Sequence, residues 1–100
     1  MFLNIKKKIL TKRLKKSALT FLFGHMCLTE NGHKRINNLL DSIKRYQAYQ
    51  LKQVNTTIDE AEELDQIYVG LSAFASGTED GLVYFENNKI VERLRNFISK

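Results

Sequence analysis

The chain contains no proline, where average usage over this length gives about five. Nothing removes a helical amide donor or clashes with the preceding turn, so long uninterrupted helices are permitted. There is a single cysteine, Cys27, which excludes an intramolecular disulfide and fits a reducing compartment such as the cytoplasm. The apolar run over residues 18–28 is interrupted by Gly24 and His25 and falls short of the about 20 apolar residues a spanning helix needs. Preceded by lysines, it has the outline of a signal peptide, but no A-x-A-like cleavage site follows. A mitochondrial presequence is usually Arg-rich, whereas Lys predominates here. The segment is therefore expected to belong to the mature fold.

Two further absences define the electrostatics. No acid precedes Glu30, and no Lys or Arg occurs over residues 56–88. Residues 1–35 carry nine basic side chains (Lys6, Lys7, Lys8, Lys12, Arg13, Lys15, Lys16, Lys34 and Arg35) against one acid. Residues 56–88 carry eight acids: Asp59, Glu60, Glu62, Glu63, Asp65, Glu79, Asp80 and Glu86. The net charge of +5 thus understates the local fields to which partners respond. One hundred residues with 43% apolar side chains make a single domain with a modest core, too short to enclose a large substrate cavity as well.

Hydrophobic spacing organises the rest. Leu3, Leu10, Leu14, Ala18, Phe21 and Leu28, with Ile5 and Ile9 beside them, recur at helical intervals, which predicts a basic amphipathic helix over residues 1–30. Its second half is apolar nearly all round, which implies burial or a partner contact. Thr29-Glu30-Asn31-Gly32 reads as a turn. The stripe Ile36, Leu39, Leu40, Ile43, Tyr46, Leu51 and Val54, interrupted at Gln47 and Gln50, predicts a helix over residues 33–54, with Tyr46 half-buried and Tyr49 at the surface.

Thr57-Ile58-Asp59-Glu60 matches a capping box, followed by acids where the helix dipole favours them. Ala61, Leu64, Ile67, Tyr68, Leu71 and Phe74 continue that helix to Gly77, a natural stop. Gly70 and Ala73 form a small-residue strip open to close helix approach. Residues 33–77 are thus expected to form an αα-hairpin. Residues 76–81 read as a loop and 82–85 as a short extended segment, able to pair with 89–91 as a hairpin. Asn87 or Asn88 would cap a C-terminal helix whose apolar face is Ile90, Val91, Leu94, Phe97 and Ile98. The expected fold is mostly α: a basic N-terminal helix, a central αα-hairpin, and a short extended segment plus C-terminal helix over 82–100.

No chemistry-bearing motif appears. His25, Cys27, Glu30 and His33 fit none of the paired zinc-ligand spacings and offer one thiolate. Cys27 with a histidine lacks an orienting acid or amide and oxyanion-hole glycines. No P-loop, Rossmann fingerprint, GxSxG or HExxH is present. A helix-turn-helix is excluded by an acidic second helix and arms that are too long. The expectation is a protein without catalytic residues, metal or cofactor.

The nine basic residues are the candidate nucleic-acid-binding set, since helical cations at roughly phosphate spacing gain free energy by releasing counterions, with Thr11, Ser17 and Thr20 available to phosphate oxygens. Sequence-specific readout has no support. The alternative is a regulator or inhibitor that docks an acidic or larger protein partner, or a second copy, through the apolar part of the first helix (Phe21, Leu22, Phe23 and Met26) and the αα-hairpin. Peripheral attachment to an anionic membrane is the third reading. The nucleic-acid reading requires that the carboxylates of the third helix leave the lysines free.

Overall fold

The structure is a computed structural model and describes residues 2–24, 30–52 and 57–99. Among the described residues five helices follow one another: α1 (Phe2–Phe23), α2 (Glu30–Gln50), α3 (Ile58–Ala75), α4 (Glu79–Asn87) and α5 (Ile90–Ile98). Among the described residues there is no strand, so the chain is all-α.

Each helix gives one stripe to a common core. Leu14, Ala18 and Phe21 come from α1, and Ile36, Leu39 and Ile43 from α2. Leu64, Ile67, Leu71 and Phe74 come from α3, Phe85 from α4, and Ile90 and Leu94 from α5. Helix α1 packs on α2 and α5, while α3 packs on α2, α4 and α5. Helix α2 runs antiparallel to α1, because Arg35 reaches Gly24 and Ser42 reaches Ser17. Phe21 meets Phe74 edge-on at 5.7 Å and Lys7 shares a cleft with Glu60, so α1 and α3 run parallel. They lie diagonally across a four-helix arrangement whose other members are α2 and α5, with α4 packed beside α3 and α5.

The expected hairpin is present as α2 and α3. Thr57 caps α3 by accepting a hydrogen bond from the Glu60 amide at 3.1 Å. Among the described residues the reciprocal bond from the Glu60 carboxylate is not made, and that side chain lines the cleft instead. Gly77 takes φ 70° just after α3, the left-handed geometry that lets a glycine end a helix. The Gly70/Ala73 strip accepts both neighbours: a Cβ on Gly70 would overlap the Ile90 side chain, and one on Gly81 would overlap the Ala73 carbonyl.

Several expectations are corrected. The turn expected at 29–32 has Glu30, Asn31 and Gly32 inside α2, while Thr29 lies outside the described residues. Helix α2 ends at Gln50, so Leu51 is solvent-exposed, while Val54 lies outside the described residues. Gln50 falls on the core-facing line and is buried, and Tyr49 is buried rather than at the surface, its ring 6.3 Å from that of Tyr46.

The extended segment at 82–85 is helical, as part of α4. Thr78 accepts from the Gly81 amide at 3.0 Å and Glu79 and Asp80 occupy the first turn, so a second N-cap converts most of the expected loop into helix. Leu82 and Phe85, three residues apart, then face the core. The alternative hairpin is likewise replaced by helix, because Lys89 adopts the left-handed conformation (φ 51°) and turns the chain directly into α5. Asn88 ends α4, its side chain donating to the Tyr84 carbonyl at 2.9 Å. Neither asparagine caps α5.

The close seat of α5 on α3 generates a test. Gly70→Ala forces Ile90 out of place, and overpacking of this kind costs about 1–3 kcal/mol, offset by at most about 1 kcal/mol of helix propensity. A lowered urea midpoint is expected, and an unchanged or raised one contradicts this packing.

Candidate polyanion interface on α1

With 3.6 residues per turn, the buried line Leu14, Ala18 and Phe21 fixes what every other α1 residue faces. Lys12 and Lys16 point away from the core, Lys8 and Lys15 flank them on one side, and Lys6 and Arg13 on the other. All except the half-buried Lys15 are exposed. Lys7, Lys8, Lys12 and Lys15 converge with Thr11 on a shallow groove.

The acids do not neutralise this face. The carboxylate of Glu63 accepts from Arg93 Nε on α5 at 2.9 Å and also pairs with Arg93 Nη2. These bonds hold the Arg93 guanidinium above its ordinary pKa. Asp41 pairs with Arg45 along α2 at 2.9 Å. Among the described residues no ion pair joins α1 to α3 or α4. The diagonal placement explains this, because the outer faces of α1 and α3 point in opposite directions.

The remaining candidates divide. Arg35 is half-buried and donates from Nη1 to the Gly24 carbonyl at 3.0 Å, closing the end of α1. Lys34 is exposed on α2, on the side away from its core stripe. Ser17 shares a hydrogen bond with Ser42 at 2.9 Å across the α1–α2 seam, and Thr20 donates to the Lys16 carbonyl at 2.9 Å. Thr11 is the hydroxyl left beside the lysines.

Of the apolar candidates, Phe21 is a core residue, Leu22 packs against the core, and Phe23 is 78% exposed. Met26 lies outside the described residues, as do His25, Cys27 and Leu28. His33 is half-buried on α2, and among the described residues no group of three potential ligands could hold a metal ion. No helix, among the described residues, is long and apolar enough to cross a membrane.

The hydrophobic spacing sets Ile9 with the apolar face, yet Ile9 is exposed, as are Leu19 and Phe23. Leu19 and Phe23 fall on the outer arc between Lys8, Lys12 and Lys16, and Ile9 lies just beyond, between Lys16 and Arg13. The signal is present in the sequence: Ile9, Lys16 and Phe23 lie seven residues apart, on the side opposite Leu14 and Ala18. Counting helical intervals alone merges apolar residues on both sides of α1 into one face.

Compared with protein-family models, with curated protein sequences and with solved structures, the chain matches none.

Cations held by no partner contribute little to folding. Replacing Lys12 and Lys16 by Gln is expected to leave the urea midpoint within about 0.5 kcal/mol of the parent. A larger loss would mean that these side chains serve the fold.

Proposed function

We propose that this is a small non-enzymatic binding protein of the cytoplasm that holds nucleic acid, without sequence preference, on the outer face of α1. The observation that carries the reading is a solvent-facing arc of lysines, unpaired with acids among the described residues, with an exposed aromatic on the same arc. Cations of this kind gain affinity by displacing counterions from phosphates. Phe23 adds a platform on which an unpaired base can stack, which favours single strands over duplex. The acidic outer faces of α3 and α4 repel a phosphate backbone and so leave one side for contact.

A second reading is favoured by Ile9 and Leu19. Exposed apolar side chains between lysines also suit an acidic protein surface, in which case the protein is a regulator docking a partner through the outer face of α1, with Phe23 as the anchor.

Anisotropy titrations with a labelled single-stranded oligonucleotide over a range of salt concentrations test the first reading. Affinity is expected to fall steeply with salt, and replacing Lys12, Arg13, Lys15 and Lys16 by Gln flattens the logarithmic slope by about 0.7 for each single-strand phosphate no longer neutralised. Phe23→Ala is expected to weaken single-strand binding by about 1–3 kcal/mol and to change duplex binding far less. Absence of binding at low salt eliminates the nucleic-acid reading. Binding to anionic vesicles in its place would transfer the same face to a membrane role.

A further inference from the structure

One cation of α1 is placed unlike the rest. Lys7 lies seven residues before Leu14, eleven before Ala18 and fourteen before Phe21, which puts it on the core-facing line of the helix. At this end of the bundle the core opens. A cleft of about 250 Å³ lies between α1 and the ends of α2, α3 and α5. Leu14, Tyr46, Phe97 and Ile98 form its apolar floor, with Tyr46 and Phe97 packed edge to face at 6.4 Å. Lys7, Thr11 and Lys15, one turn apart along α1, form one wall, and Glu60 stands opposite.

An aliphatic residue at position 7 would continue the stripe and close this end of the core. A lysine there instead leaves an exposed ammonium-bearing side chain at the rim of a cleft that also holds two aromatic rings. Among the described residues it has no salt-bridge partner. We infer that the cleft is a binding site for a small amphipathic monoanion, a flat aromatic carboxylate or sulfonate. Its ring would lie on Tyr46 and Phe97, and its head group would lie between Lys7 and Lys15 beside the Thr11 hydroxyl.

The size fits, since an apolar cavity of roughly 150 Å³ already accepts benzene, and the extra volume leaves room for a head group or a second ring. Two cations against one carboxylate make the walls net positive by one, which matches a single negative charge. Lys7 and Lys15 are about 12 Å apart along the helix axis, so a head group at Thr11 is within reach of both long side chains. The ligand differs from the polynucleotide on the outer arc, although Lys7, Thr11 and Lys15 border both the cleft and the lysine groove.

The test is a titration of the full chain with naphthalene-2-sulfonate, followed by two-dimensional NMR. Saturable shifts are expected at Leu14, Tyr46, Phe97 and Ile98. The neutral naphthalene-2-sulfonamide is expected to bind about tenfold more weakly, as is the sulfonate to Lys7→Gln, the loss of one charged hydrogen bond. Lys89→Gln, at the opposite end of α5, leaves the affinity unchanged. Lys7→Leu, which fills the cleft, abolishes the shifts while preserving the fold by circular dichroism. The inference is overturned if the floor residues do not shift, if sulfonate and sulfonamide bind equally, or if Lys7→Leu retains the parent affinity. Because Lys7 borders both sites, the double variant Lys12→Gln with Lys16→Gln, whose positions lie outside the cleft, separates them. It is expected to lose oligonucleotide affinity and to keep the sulfonate shifts, and loss of those shifts counts against the cleft.

Discussion

The diagonal placement of α1 and α3 is the constraint on which the rest depends. Neighbouring helices of opposite charge would form ion pairs along their shared edge. Here α2 and α5 intervene on either side, and α1 and α3 meet across the core through Phe21 and Phe74. Buried apolar contact, not attraction between charges, sets this arrangement: the core residues of α1 and α3 belong to one cluster. The carboxylate of α3 that does find a cation, Glu63, takes it from α5. That ion pair is only partly buried, its side chains 28% and 35% exposed, so it adds modest stability. Its larger effect is positional, because it adds to the contact of Ile90 with Gly70 in fixing α5 on α3.

Much of the helical framework was legible in the sequence because its signals are local. Thr57 as a cap, Gly77 as a stop and Gly70 with Ala73 as a close-approach strip each follow from the chemistry of a few adjacent residues. The fourth helix was not legible. Leu82 to Phe85 is short and β-prone, and its helical state depends on Thr78 capping from within a stretch that reads as loop. The lysine at 89 in a left-handed conformation is equally hidden, since a glycine or asparagine would be the expected residue there. Tyr49 is buried by its tertiary surroundings, which no periodicity encodes.

The basic cluster was plain from composition, but its division into faces was not. Lysines spread over more than half of the circumference of α1 give no clear polar side by themselves. The buried line of Leu14, Ala18 and Phe21 supplies the missing reference. Against it, Lys12 and Lys16 point outward, Lys7 falls in register with the core line yet is exposed, and Arg35 is drawn into closing the end of α1. The carboxylates raised the opposite question, whether they cancel the lysines, and that depends on which helices become neighbours.

Holding the two charged outer faces on opposite flanks of a body measuring 44 × 25 × 20 Å gives the molecule a large electric dipole moment. A polyanion or charged surface exerts a torque on such a body before any side chain touches it, within the roughly 10 Å over which salt at 0.1 M leaves the field unscreened. The torque turns the lysine-bearing flank toward negative charge and the carboxylate-bearing flank away from it.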